Sequence, residues 1–159
     1  MPLRSIPDAS LVHDMVSSAA NSGNRQGIVI VGGGATGVSI GGALSDFIKE
    51  SKKSDSISIT ILEALPTILL GWNECLVNKV EEVLCETGIR IMTSSPVAKV
   101  ENGGDSESKI HSSLTILTAG VKGYSIPVNP EVERTKDGKI ILNEFCQIDA
   151  ILMFFRLAT

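Results

Sequence analysis

The order of apolar and polar residues predicts a strand, a helix and a second strand between residues 27 and 63. Residues 28–31 form a compact apolar run that ends in glycines, which is typical of a parallel strand buried on both faces. From Ala35 to about Glu50, apolar and glycine positions recur at i, i+3, i+4 and i+7, as on one face of a helix. Residues 57–62 repeat the strand pattern. Together they predict a βαβ unit with a right-handed crossover.

One further helix is predicted on each side of this unit. Asp8 is suited to cap a helix that runs to about Ser22, and Asn73 to cap one that runs to about Thr87. Gly88 then takes the place of the left-handed residue that follows a helix end.

Short strands are predicted in the rest of the chain, at residues 89–92, 97–100, 110–118 and 139–142. Turn-forming sequences link the later strands and favour hairpins. We therefore expect a Rossmann-like three-layer α/β domain, with a parallel sheet built on the βαβ unit at 27–63 and a short antiparallel β-meander at about 96–118.

Composition and charge narrow the class of protein. The chain has 159 residues, of which 43% are apolar and 20% charged, so it is globular. A net charge of −4 gives no electrostatic footprint for nucleic acid. Neither a signal peptide nor an apolar run of about 18 residues is present, so no transmembrane segment is expected. Three cysteines without metal or redox spacing fit a reducing compartment. We expect a cytoplasmic chain without a metal site.

A glycine motif lies at the turn between the first strand of the βαβ unit and the helix. It reads Gly32-x-Gly34-x-x-Gly37. The first glycine permits a tight turn, the second lets the backbone approach a pyrophosphate, and the third lets the helix pack closely. The phosphates would lie at the helix N-terminus, where unpaired N–H groups favour negative charge. The predicted cofactor-binding loop is Gly32, Gly33, Gly34, Ala35, Thr36 and Gly37.

Two more glycines, Gly41 and Gly42, follow inside the same helix. Each costs about 1 kcal/mol of helix propensity relative to alanine. Such a cost indicates that something comes close to the helix, either the sheet or a second nucleotide-bearing domain, and both interpretations stand at this point.

Residues at the ends of two other strands complete the predicted site. Glu63 ends the second strand, where a carboxylate accepts hydrogen bonds from the adenosine ribose. Because a carboxylate repels a 2′-phosphate, NAD(H) is favoured over NADP(H). Thr118, Ala119 and Gly120 follow a later apolar run, and small residues there would let a ring or ribose pass over the backbone, although a plain turn explains the segment as well. No residue is assigned a catalytic role.

Several segments together resemble the FAD-dependent pyridine nucleotide-disulfide oxidoreductases, with type II NADH dehydrogenases as the nearest likeness. They are Ile28-Val-Ile-Val-Gly-Gly-Gly-Ala-Thr-Gly37, Ile59-Thr-Ile-Leu-Glu63, Leu69-Leu-Gly71, Thr87-Gly-Ile89 and Leu117-Thr-Ala-Gly-Val121. In that family an NADH domain is inserted into an FAD domain. This chain resembles the inserted domain, with residues 2–20 leading in and 137–143 leading out.

The resemblance implies a function and roles for the site residues. Gly32, Gly34, Gly37 and Glu63 would bind NADH, and Gly120 would lie near the flavin–nicotinamide junction. The chain would position NADH for hydride transfer to FAD and on to a quinone-like acceptor, as part of an oxidoreductase. A flavin-binding domain or subunit is the implied partner, a homo-oligomer stays open, and intact family members can lie peripherally at the inner membrane face.

The chain departs from the family pattern at Ser39 and in its flavin-binding motifs, and its tail differs as well. Ser39 stands where family members commonly carry a glutamate near the nicotinamide. The flavin-binding glycine motif is missing upstream, and a Gly-Asp flavin motif is missing downstream. The tail at 150–159 is apolar and unlike the family. After a two-base frame shift, one permitted choice of codons for it reads Asn-Ile-Asp-Val-Phe-Ser-Ile-Gly-Asp.

These departures leave alternatives open. The C-terminus is expected to be truncated or frameshifted, or else to form a native strand. The predicted division of the chain is a helical lead-in at 1–24, an NAD(H)-binding domain at 25–145 and an atypical tail at 146–159. Besides the enzyme module, an orphan NAD(H)-binding module and an inactive fragment lacking the FAD domain are retained. A methyltransferase is disfavoured by the glycine spacing and by the predicted hairpins.

Overall fold

A computed structural model describes the chain at residues 3, 5–21, 24–51, 56–101, 110–120, 127–129, 131–148 and 151–155. The chain forms two compact units, Met1–Ala119 and Gly120–Thr159. This division is not the one predicted from the sequence, and the roles assigned there to 1–24, 25–145 and 146–159 stay predictions.

The first unit is built on a parallel four-stranded sheet. Its elements in chain order are α1 (Ile6–Asn21), β1 (Gln26–Val31), α2 (Ala35–Glu50), β2 (Ile57–Leu62), α3 (Glu74–Glu86), β3 (Ile89–Met92) and β4 (Leu114–Leu117). The strand order is β3-β2-β1-β4, and every neighbouring pair is parallel. The predicted Rossmann-like α/β fold and its βαβ unit are therefore confirmed.

The main buried cluster of this unit includes one face of the sheet. Ile28 pairs with Ile59 and Ile30 with Ile61. Because side chains alternate along a strand, these isoleucines share one face. All three helices join the same buried cluster, through Val12 and Val16 of α1, Leu44 and Ile48 of α2, and Val77 and Leu84 of α3. The described helices thus share one buried cluster with this face of the sheet.

The predicted antiparallel β-meander at about 96–118 is wrong for the described residues of that range. Residues 97–100 contain no strand, and Val97 and Val100 are exposed. With no buried face, nothing fixes a strand register there. The strand predicted at 110–118 is shorter, and it pairs in parallel with β1. Burial of Leu114 and Ile116 in the core explains this pairing. The turn predicted at 102–105 lies outside the described residues.

Among its described residues, the second unit contains a short antiparallel strand pair. Its strands are β5 (Gln147–Ile148) and β6 (Ile151–Phe155). The strand predicted at 139–142 is reduced to an isolated bridge between Arg134 and Ile140. The tail forms a strand at β6; this does not test whether the tail is native, truncated or frameshifted, so both expectations stay predictions.

Capping explains where two of the helices begin. Ser5 precedes α1, its N–H donates to Asp8 Oδ2 at 2.9 Å, and the Asp8 N–H donates to Ser5 Oγ at 3.4 Å. This reciprocal capping box places Asp8 inside α1, so the prediction that Asp8 is the cap was wrong. The prediction for α3 is confirmed, because Asn73 Oδ1 accepts from the Cys75 N–H at 3.0 Å. Within the described residues, no helix has the length and apolar character needed to cross a bilayer.

The glycines of α2 serve different purposes. A Cβ added to Gly37 would lie 1.9 Å from the Gly32 carbonyl oxygen, so no side chain fits there. A Cβ on Gly41 would lie 3.1 Å from Ile61 Cδ1, which means that the sheet is what comes close at this position. A Cβ on Gly42 would meet nothing within 4 Å. The packing of α2 on the sheet therefore depends on Gly37 and Gly41 but not on Gly42.

This difference gives a test of the packing. Gly37→Ala is expected to destabilise the protein by about 3 kcal/mol, because a backbone oxygen must move to make room. Gly42→Ala is the matched control and is expected to stabilise it by about 0.4–1 kcal/mol. Chemical denaturation of both variants measures the two changes. Equal effects of the two substitutions would contradict the close approach of α2 to β1.

Candidate functional site

The candidate site lies at the edge of the sheet where the four parallel strands end. β1 has β2 on one side and β4 on the other. The chain passes from β1 through α2 to β2, and reaches the opposite side of β1 only after β3. Ligands of open α/β sheets bind at such a reversal of strand order, outside the carboxyl ends of the strands. The loop Gly32–Gly34, Glu63 and Thr118 all lie at this edge.

Two glycines of the loop are required by contacts inside the protein. Gly32 has φ of 113°, a left-handed value that favours glycine, and a Cβ there would lie 2.9 Å from both Ala119 N and Thr118 Oγ1. A Cβ on Gly33 would lie 2.8 Å from Ile68 Cγ2. These positions, like Gly37, must be glycine for the turn itself to pack.

Gly34 has no such internal requirement. Its φ of −73° and ψ of −179° suit any residue, and a Cβ there would meet nothing within 4 Å. It is exposed, as are Ala35 and Thr36 after it. Gly34 is also the N-cap of α2, without any side-chain cap. Since the first amides of a helix have no intrahelical acceptor, an open, positively polarised surface lies at this point.

Glu63 holds the loop through both of its carboxylate oxygens. Oε2 accepts from the Gly33 N–H at 2.6 Å, and Oε1 accepts from the Leu65 N–H at 2.9 Å. The side chain is half-buried. A carboxylate can accept about four hydrogen bonds, so these two leave capacity for a ligand hydroxyl. The sequence predicted the place of Glu63 but not its bonds to the backbone.

Thr118 also lies at this edge; the sequence indicates its segment as a strand end near the cleft but gives no role for its hydroxyl. Its Oγ1 lies 3.0 Å from the Val31 carbonyl oxygen and 3.1 Å from that of Gly32. The available signal was a hydroxyl at a strand end next to the small residues Ala119 and Gly120. Ala119 packs against the turn at Gly32. Gly120 has φ of 80° and belongs to the second unit.

Other candidate side chains do not gather here. Ser39 is exposed on α2. Among the described residues, no group of three or more histidine, cysteine, aspartate and glutamate side chains could hold a metal ion. The arrangement offers backbone amides and one carboxylate, which suits the binding of a phosphate-bearing ligand with hydroxyl groups.

This strand order, glycine turn and strand-end carboxylate define a Rossmann-type dinucleotide-binding fold. The family model described as pyridine nucleotide-disulphide oxidoreductase matches residues 5–154. The chain therefore belongs to this family of oxidoreductases, whose cofactors are NAD(H) and FAD, and the resemblance drawn from the sequence is confirmed.

Two relatives agree with this assignment. The chain is 26% identical over 133 residues to a type II NADH:quinone oxidoreductase of Staphylococcus saprophyticus. This alignment covers 77% of the chain and 33% of that protein. It is 33% identical over 78 residues to a probable mitochondrial NADH-ubiquinone oxidoreductase of Schizosaccharomyces pombe. This second alignment covers 45% of the chain and 14% of the relative.

A solved structure shares the fold. NDH2 from Plasmodium falciparum in complex with NADH matches with a TM-score of 0.65 and 20% identity, covering 77% of this chain and 30% of that one. The chain thus spans about a third or less of the length of these relatives.

The two bonds of Glu63 predict that glutamine is a poor substitute for it. In Glu63→Gln, an amide NH₂ must face one of the two backbone N–H donors. We expect a loss of about 1–3 kcal/mol in the free energy of unfolding of the ligand-free protein. Glu82→Gln, at an exposed ion pair with Lys79, is the control and should change it by less than about 0.5 kcal/mol. Urea denaturation measures both, and an unchanged stability of Glu63→Gln would show that the carboxylate does not hold the loop.

Proposed function

We propose that this chain is the NADH-binding part of a flavin-dependent NADH dehydrogenase. Gly34 carries the proposal. It is the one glycine of the motif whose surroundings in the protein leave space for a side chain. Serine, aspartate or asparagine there would cap α2, whereas glycine leaves the helix N-terminus uncovered. That open position is where the backbone approaches a pyrophosphate in this type of fold.

The proposed placement of NADH follows the edge of the sheet. The pyrophosphate lies against Gly34, Ala35 and Thr36 at the start of α2. The adenosine ribose extends toward β2, where Glu63 has acceptor capacity beyond its two backbone bonds. The nicotinamide half extends toward β4 and Ala119. A carboxylate at the ribose position repels a 2′-phosphate, so NADH is the cofactor proposed over NADPH.

The part played by this chain is binding and orientation. A flavin supplies the acceptor for the hydride in this class of oxidoreductase. The S. saprophyticus relative is named for quinone as acceptor, and a quinone-like acceptor is accordingly proposed for the whole protein. We assign no residue of this chain to the flavin, since the one glycine-rich strand-to-helix turn among the described residues is the one assigned to NADH.

Calorimetry with NADH and NADPH tests this proposal directly. The chain is expected to bind NADH without added flavin, and more tightly than NADPH. Gly34→Val should weaken NADH binding at least tenfold, about 1.4 kcal/mol, because the valine side chain fills the space of the pyrophosphate. The variant should fold normally, since φ and ψ at Gly34 suit valine.

Gly42→Val is the matched control, because its Cβ also lies in open space and on the same helix. It should retain the NADH affinity of the wild type. Equal affinity in Gly34→Val and wild type would remove the glycine turn as the site. Absence of NADH binding by the wild-type chain would instead favour the inactive fragment.

A further inference from the structure

A single peptide group in the glycine loop is held at both of its ends. In a trans peptide, the carbonyl of one residue and the N–H of the next point in opposite directions. The Gly32 carbonyl oxygen lies 3.1 Å from Thr118 Oγ1, and the Gly33 N–H donates to Glu63 Oε2 at 2.6 Å. A donor thus stands at the carbonyl end of this peptide group and an acceptor at its N–H end.

The two holding residues come from different strands. Glu63 directly follows β2, and Thr118 directly follows β4. These strands flank β1 on its two sides, and Gly32 lies 86 residues from Thr118 along the chain. The orientation of the peptide group therefore depends on both neighbours of β1 being in register.

The hydroxyl of Thr118 lies within hydrogen-bond distance of two carbonyl oxygens, and only that of Val31 has a second donor in Thr118 itself. Its single proton is shared between the carbonyls of Val31 and Gly32. The Val31 carbonyl also accepts from the Thr118 backbone N–H at 2.9 Å. The side chain is half-buried, and its Oγ1 lies only 2.9 Å from where a Cβ on Gly32 or Gly37 would be. The hydroxyl thus occupies the point at which the turn, α2 and β4 meet.

We propose that Thr118 is a positioning residue for the NADH site, which rests on the proposed function. It does not contact NADH in this proposal. Glycine at φ of 113° has wide backbone freedom, so the sequence alone does not hold the turn in one state. A rotated peptide group would point the Gly32 carbonyl oxygen at the Glu63 carboxylate and withdraw the Gly33 N–H. By holding the Gly32 carbonyl toward β4, Thr118 fixes the direction of the backbone amides that follow at Gly34 and Ala35.

Three substitutions at position 118 separate the effect of the hydroxyl donor from the effect of side-chain size. Thr118→Val and Thr118→Ala both remove the donor, the first at nearly constant size and the second without any steric demand. Thr118→Ser keeps the donor. Thr115→Val is the matched control, since Thr115 lies on the same strand and its hydroxyl bonds to Ser112 Oγ at 2.7 Å, at the opposite edge of the sheet.

The experiment has two readouts on the 159-residue chain. NADH affinity is measured by calorimetry, and hydrogen exchange of the Gly33 amide is measured by NMR without ligand. Thr118→Val and Thr118→Ala are expected to lower NADH affinity about tenfold and to speed Gly33 exchange by a similar factor, since a hydrogen bond contributes about this much. Thr118→Ser and Thr115→Val should stay within about twofold of wild type in both.

The outcomes distinguish this proposal from the proposed function. Unchanged Gly33 exchange in both donor-free variants overturns the proposal, whether or not the chain binds NADH. Faster exchange with unchanged NADH affinity overturns the positioning role and leaves Thr118 as a structural residue. Absence of NADH binding by the wild type refutes the proposed function, and the exchange readout still shows whether Thr118 holds the turn.

Discussion

The contact between Gly37 and the carbonyl oxygen of Gly32 is the constraint on which the site depends. No side chain fits between them, because a Cβ on Gly37 would lie 1.9 Å from that oxygen. This contact brings the first turn of α2 down onto the end of β1. As a result, the amides at the start of the helix lie at the same edge as Glu63 after β2 and Thr118 after β4. Any side chain at position 37 would push α2 away from β1 and separate the helix amides from Glu63 and Thr118.

The glycines of the turn differ in how closely the rest of the protein surrounds them. Gly32 and Gly33 are enclosed by Ala119, Thr118, Ile68 and Glu63, so their conformation is set by the protein. Gly34 is open. A loop whose inner residues are held and whose outer residue is uncovered is suited to present backbone amides in a fixed direction. Such preorganisation reduces the entropy lost when a ligand is bound.

Much of this could be predicted from local sequence. The apolar runs and the helical spacing gave β1, α2, β2, α3 and β3, and the glycine motif gave the loop, because these depend on residues close in the chain. The roles of Gly41 and Gly42 could not be separated, since only the packed sheet shows that Ile61 lies against the first and nothing against the second.

Long-range pairing accounts for what was missed. The strand at 114–117 was predicted within a hairpin, but it pairs with β1, more than 80 residues away, because its apolar residues are buried there. The hydroxyl of Thr118 reaches the glycine turn only through that pairing, so no local pattern indicated it. Similarly, Glu63 lies at the end of β2 as the sequence predicts, while its bonds to Gly33 and Leu65 follow from how two loops meet.

NADH is proposed to bind along the edge formed by Gly34, Glu63 and Ala119. Backbone amide shifts followed by NMR during an NADH titration report on this placement residue by residue. The largest shifts are expected at Gly34 and Ala35, with further shifts at Glu63 and Ala119. Little change is expected at Gln26 and Ser113, which lie at the opposite edge of the sheet. Shifts concentrated at that opposite edge, or none at Gly34 and Ala35 under saturating NADH, would contradict this placement of NADH.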